Sequence, residues 1–351
     1  MNDDNNVLIT PDSEQFAHSL FASFDSYKTM YDYSIQNPDQ FWGEKLNACE
    51  NCVDHHLPTK GNQVAIIWEA DEPGNEKYII YRELHREVSR LANVLRHNGI
   101  GKGDRIAIYM PMIPEAVYAM LACARVGAVH SVVFAGFSAE ALRDRINDDK
   151  CKMVITADEG VHAKKIIPLK RLVAEAILAC PSVKNVLVAE RTGNKVPFYS
   201  PRDIWMRKAM NAERPYCPIE HVDSEDTLFL LYTSSSTGQP KGVAHTTAGY
   251  LLYTAITHKH VFDYLDGEIF ACVADIGWVT GHSYVVYGPL LNGATTVLFE
   301  SVPTYPNSGR YWEMVERLKI NQFYTAPTAI RAISTMVMIL LKNMTVPVYV
   351  F

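Results

Sequence analysis

The chain has 351 residues, enough for two or three domains or one large α/β unit with a satellite. Hydrophobic residues at 48% and charged residues at 21% are ordinary for a soluble globular protein, and a net charge of −6 without a lysine/arginine cluster argues against nucleic-acid binding. The opening Met1-Asn-Asp-Asp-Asn-Asn has no basic n-region or apolar core, so no secretory signal is visible, and seven scattered cysteines suit reduced thiols in the cytoplasm.

Residues 1–60 are polar with isolated aromatics (Phe16, Phe24, Tyr31, Phe41, Trp42), which predicts helical segments lying over a larger body. Cys49-Glu-Asn-Cys52 with His55 and His56 has metal-ligand residue types, but no second Cys-x-x-Cys follows at zinc spacing, so it reads as an ordinary turn and no metal site is assigned. From Val64 the texture changes. Val64–Trp68 and Lys77–Tyr81 read as strands joined by a Glu/Asp/Pro/Gly turn. Glu83–His97 places Leu84, Val88, Leu91 and Leu95 on one helical stripe, ended by Gly99-Ile-Gly-Lys-Gly103.

Strands and helices then alternate: strand 105–110, helix 114–126, strand 128–134, helix 138–148 with Ser138 as cap, strand 152–157, helix 168–180, strand 185–189. This alternation predicts α/β architecture, doubly wound and mostly parallel, with ligands outside the carboxyl ends of the strands. Residues 191–225, rich in proline and charge, read as a surface linker. Further on, a helix over 246–264, strands over 268–274, 294–299 and 322–325, and helices at 311–319 and from Pro327 are expected.

The stretch on which function turns is Leu231-Tyr-Thr-Ser-Ser-Ser-Thr-Gly238-Gln-Pro-Lys241-Gly-Val-Ala-His245. The apolar run 227–232 predicts a buried strand, opening into five hydroxyl residues, Gly238 and Lys241, with a helix resuming near Thr246. Short side chains let backbone N–H groups approach an anion, hydroxyls donate, and a lysine supplies charge. By composition alone it reads equally as a solvated Ser/Thr loop. It is not the common Gly-x-x-x-x-Gly-Lys-Ser/Thr loop, because Gly242 follows Lys241. Beyond Ser334 the chain is almost wholly apolar and ends without a polar tail; Lys342, Asn343 and Pro347 break it too often for a membrane span.

Tyr232-Thr-Ser-x-Ser-Thr-Gly-x-Pro-Lys-Gly resembles the signature loop of the adenylate-forming (AMP-binding) superfamily. Tyr109-Met-Pro-Met112, Ala128-Val-His-Ser-Val132, Gly136-Phe-Ser138, Gly277-Trp-Val-Thr-Gly-His-Ser-Tyr284 and Tyr324-Thr-Ala-Pro-Thr-Ala-Ile-Arg331 resemble one branch of it, the AMP-forming acetyl-CoA synthetases, from about Phe16 to Ile333. The resemblance implies three regions: an N-terminal cover over 1–60, an incomplete AMP-binding α/β domain over 61–333 with the C-terminal lid domain absent, and a divergent apolar tail over 334–351. It implies acetate, ATP with Mg2+, and coenzyme A as ligands, with no nucleic acid or membrane partner. Thr233, Ser234, Ser235, Ser236, Thr237, Gly238 and Lys241 would hold the ATP phosphates, with Lys241 and Thr233 as the catalytic pair. Trp278, Val279 and Thr280 would line the acyl pocket, and His162, Ala163, Lys164, Lys165, Thr280 and Thr304 would contact coenzyme A. His245 and His282 read as hydrogen-bonded structural residues rather than bases.

Departures from the family pattern are Ser235 for glycine, His162 for arginine, Thr304 for asparagine, a missing stretch between Glu44 and Lys45, and everything after Ile333. The last includes the adenine-binding motifs and the adenylation lysine. The expectation is therefore a truncated ligase with feeble activity by itself. The alternatives are a non-catalytic subunit that associates with full-length synthetase, or a ligase acting on propionate.

Overall fold

Short apolar runs buried on both faces make the centre of the larger sheet. They are β3 (Arg105–Tyr109), β4 (Val129–Val132), β5 (Met153–Ala157) and β8 (Asn185–Ala189), and, apart from the buried His130 and Ser131 of β4, their near-continuous apolar sequence is what parallel strands covered by helices require. The computed structural model describes residues 24–36, 47–233, 241–331, 333 and 349–350. With β9 (Asp203–Trp205), β10 (Thr227–Thr233) and β11 (Lys241–Thr246), the strand order is β11-β10-β4-β3-β5-β8-β9. Every pair is parallel except β10–β11.

A second sheet runs β15-β14-β12-β13-β1-β2. Its strands are β1 (Val64–Glu69), β2 (Glu76–Ile80), β12 (Ile269–Cys272), β13 (Thr295–Phe299), β14 (Gln322–Tyr324) and β15 (Tyr349–Val350). It is parallel apart from the β1–β2 hairpin. A small separate hairpin, β6 (Gly160–His162) and β7 (Lys165–Ile167), follows β5.

The helices behave as their stripes predict. Tyr81–His97 buries Leu84, Val88, Leu91 and Leu95 against the helix Pro114–Arg125, each contributing roughly 1.5–3 kcal/mol of transfer free energy. Pro114 opens its helix, and Ser138 Oγ accepts from the Ala141 amide to start Ala139–Asp149. The connection from β3 leads to its neighbour β4 on one side, and that from β5 leads to β8 on the other. The loops after β3 and β5 therefore diverge and leave a crevice at their carboxyl ends.

The Cys49–His56 segment packs as part of the body. Arg125, almost fully buried, donates to both Asp54 oxygens (2.7 and 3.0 Å), to the Cys217 carbonyl and to Cys49 Sγ. His56 is bonded to the Leu290 carbonyl, and burial pushes the Cys49 thiol up to about 12. These groups are engaged in packing, and among the described residues no cluster of three His, Cys, Asp or Glu is set to hold a metal. No described helix is long and apolar enough to cross a membrane.

Two expectations need correction. The strand β10 does not lead directly to a helix. It turns back as an antiparallel hairpin through β11, and the helix Thr247–His260 comes only then. Residues 191–225 are not simply a surface linker. They include β9, whose Asp203 is buried because Lys170 and Arg202 reach it at 2.8 Å each, and the helix Met206–Asn211. The strands divide between two mostly parallel sheets, in keeping with the expected α/β architecture. Ser234–Gly238, Glu44, Lys45 and most of the apolar tail lie outside the described residues.

Candidate active site

The carboxyl ends of strands from both sheets converge on one cavity of about 530 Å³. Pro111 and Met112 follow β3, Phe134–Gly136 follow β4, and Val161 and His162 lie on β6 just past β5. Facing them are Val273–Asp275 after β12 and Glu300–Pro303 after β13. Trp278 stands at the rim, 49% exposed, with its ring 6.0 Å from Phe134 and 6.3 Å from Phe137.

Backbone crowding explains why Trp278 sits there. A Cβ on Gly277 would come within 2.8 Å of Phe134 Cα, and one on Gly281 within 2.1 Å of the Asp275 carbonyl oxygen. Only glycines let the chain double back from Asp275 into the helical turn Val279–Gly281. Trp278 is extended at the head of that turn and faces the cavity. Val279 is half exposed, and neither it nor Thr280 lines the cavity. A buried π-helix, His282–Tyr287, continues the segment. His282 stacks flat on His130 at 5.6 Å, and Phe229 lies against both His245 (4.4 Å) and His282 (4.6 Å). Burial drives the His282 pKa down to about 3, so the ring is neutral and structural.

The stem of the hydroxyl-rich loop adjoins this segment. Thr233 and Lys241 are direct cross-strand partners where β10 and β11 open into the 234–240 connection, and both are exposed. One residue earlier, the Tyr232 ring packs under the Arg145 guanidinium (5.3 Å), which also covers Phe137 (4.7 Å), itself against Trp278. Tyr232 Oη lies 2.6 Å from oxygens of both Asp148 and Asp149, anchoring the stem to the helix Ala139–Asp149.

Of the residues expected at coenzyme A, those of 162–165 and Thr304 come together at one end, whereas Thr280 stays with the Val279–Gly281 turn. His162 lines the cavity, and desolvation lowers its pKa while Asp71 pulls the other way, so it carries no fixed charge. Ala163 and Lys164 form the tip of the β6–β7 hairpin. Lys164 Nζ pairs with Glu72 at 3.0 Å and lies 5.6 Å from the Tyr305 ring, next to the exposed Thr304. Lys165 is exposed.

Sequence reading missed the acidic residues of this region. Asp275 lines the cavity, its Oδ1 accepts from the Gly277 amide at 2.6 Å, and burial raises its carboxyl to about 6. Glu300, also lining it, holds Arg191 through two bonds (2.8 and 2.9 Å). Isolated carboxylates carry no spacing signal, so nothing in the sequence singles them out.

Crevices where strand connections diverge are the nucleotide and substrate sites of α/β folds. The profile of the family described as AMP-binding enzyme matches residues 53–345, running past Ile333, and the chain belongs to that family. It is 52% identical to acetyl-coenzyme A synthetase 2 of Pseudomonas aeruginosa, over 93% of this chain and 56% of that protein. Acetyl-coenzyme A synthetases of Halorhodospira halophila and Syntrophobacter fumaroxidans are 52% and 53% identical, each over 93% of this chain and 55% of the relative. The chain thus spans little more than half the length of these curated relatives.

Proposed function

We propose that this chain carries the phosphate, acyl and thiol sites of an AMP-forming acetate–CoA ligase. Acetate attacks the α-phosphorus of Mg·ATP, the α–β bridging P–O bond breaks, and diphosphate leaves. The coenzyme A thiol, losing its proton to solvent, then attacks the acyl carbon of acetyl-AMP and expels AMP. In this reading Thr233, the hydroxyls of 234–237, the Gly238 amide and Lys241 stabilise charge on the phosphates. Trp278 limits the acyl group, Val279 and Thr280 stand behind it, and His162–Lys165 with Thr304 meet coenzyme A. The observation that carries the proposal is the cavity at the converging strand ends, walled by Trp278 and His162 and joined through Phe137 and Arg145 to the Thr233–Lys241 stem.

All seven cysteines are buried, which supports a reducing, cytoplasmic setting. Acetate is favoured over propionate by the bulk of Trp278. The test is acetate-dependent diphosphate release with and without coenzyme A. Slow but acetate-dependent release supports the ligase reading, and failure to bind both ATP and coenzyme A overturns it. Binding of both without release supports the sites and overturns turnover by these residues.

A further inference from the structure

The β6–β7 hairpin turns through only two residues, with His162 paired to Lys165. Both turn residues are left-handed, Ala163 at φ 51° and Lys164 at φ 64°. A two-residue hairpin with two positive φ values normally carries Asn-Gly or Asp-Gly. Alanine and lysine have a Cβ that disfavours this conformation, and such strain persists only where surroundings over-determine it.

Asp71 supplies the constraint. Its two oxygens accept the two turn amides, Oδ1 from Ala163 N–H at 2.6 Å and Oδ2 from Lys164 N–H at 2.8 Å. Ser301 Oγ donates to Oδ1 at 2.7 Å, and the carboxylate is buried. Three charge-assisted bonds satisfy a carboxylate that has no cation in direct contact among the described residues. Asp71 follows β1 of the smaller sheet, whereas the hairpin springs from β5 of the larger one. The Asp71 amide is in turn held by Glu300, which is fixed by Arg191 from beyond β8. The clamp thus crosses between the sheets beside the cavity, whose walls include His162 and Ile167 on the hairpin and Ser301 opposite.

We propose that Asp71 is a positioning residue: its carboxylate holds the Ala163–Lys164 turn left-handed and thereby fixes His162 on the cavity wall for the thiol co-substrate. The identity of that ligand as coenzyme A rests on the function proposed above; the clamp itself does not.

The test separates the two. Amide hydrogen exchange over 160–167 is compared in wild type, Asp71→Asn and Asp71→Ala, and each is titrated with coenzyme A. Removing the carboxylate should speed exchange at the hairpin amides and weaken coenzyme A, each by about tenfold or more, as expected for lost hydrogen bonds to a charged group. Ala163→Asn with Lys164→Gly installs the turn sequence that adopts this geometry unaided. In the Asp71→Ala background it should restore protection at the ladder amides of the hairpin, though not at 163 and 164, whose acceptor is gone. In the native background it should make protection independent of Asp71, which keeps the test decisive if Asp71→Ala alone fails to fold. Coenzyme A affinities are compared within the Asn-Gly pair, because Lys164→Gly also removes a charge. Unchanged exchange in Asp71→Ala, or no rescue by Asn-Gly, overturns the clamp. Exchange behaving as stated while wild type does not bind coenzyme A overturns the ligand assignment alone. Equal coenzyme A affinity in wild type and Asp71→Ala, or a loss that persists within the Asn-Gly pair, overturns the positioning role.

Discussion

Asp275→Asn should stabilise the protein at neutral pH. The Asp275 carboxyl faces the cavity with the Gly277 amide as its hydrogen-bond donor, and burial lifts its pKa from 3.8 to about 6. A folded-state value above the unfolded one means the folded chain binds the proton more tightly. The charge therefore costs nothing below pH 4, costs progressively more between about 4 and 6, and costs its full amount above 6. At 1.36 kcal/mol per tenfold change this is at most roughly 3 kcal/mol, and about 2 kcal/mol once solvent reaching the cavity is counted. Asparagine keeps the acceptor for Gly277 and removes the charge. A net gain of about 1–2 kcal/mol at pH 7.5, shrinking toward zero near pH 4, should appear in urea unfolding midpoints of the two proteins. Loss of stability at pH 7.5, or a difference that does not change between pH 4 and 7, would refute the reasoning.

Asp54→Ala should be strongly destabilising, by about 3–5 kcal/mol in chemical denaturation, because it leaves buried Arg125 without its carboxylate. Burial alone would raise the Asp54 carboxyl, but the His85 and Arg125 hydrogen bonds outweigh it and hold it low. The stabilisation is thus complete above the ordinary carboxylate range and lost as pH falls through the lowered value; a flat acid limb in the wild type would contradict this. Trp278→Ala should shift acyl preference toward longer acids by roughly 10–100-fold in relative kcat/KM, read by acid-dependent diphosphate release. Ser235→Gly, restoring the family's residue, should tighten ATP binding by up to about 1 kcal/mol, roughly fivefold, in calorimetry.

What the sequence made legible was whatever carries periodicity. The stripe Leu84, Val88, Leu91, Leu95 and the apolar runs of β3, β5 and β8 announce themselves because burial on one face or two leaves a pattern. The division into two sheets left none. β1 comes before the larger sheet in the chain but pairs with a strand more than 200 residues later, as Ile67 does with Val297. Edge elements were also hidden. β11 reads Lys-Gly-Val-Ala-His-Thr, mostly exposed and without alternation, and β9 lies in a proline- and charge-rich run with a buried aspartate. The β6–β7 turn lacks Asn-Gly, since Asp71, some 90 residues earlier, supplies what glycine would.

The site shows the same split. The hydroxyl-rich loop is conspicuous in composition, and Gly277 and Gly281 flag a close turn around Trp278. Asp71, Asp275 and Glu300 are lone carboxylates in sequence and acquire meaning only from what the two sheets bring against them.

The most direct measurement is calorimetric titration of the chain with Mg·ATP, in wild type and Lys241→Ala, with coenzyme A titrated in parallel. Saturable ATP binding that weakens about tenfold or more in Lys241→Ala, with coenzyme A affinity unchanged, is the expected result. Nucleotide affinity indifferent to Lys241 would contradict the assignment of the β10–β11 loop to the triphosphate.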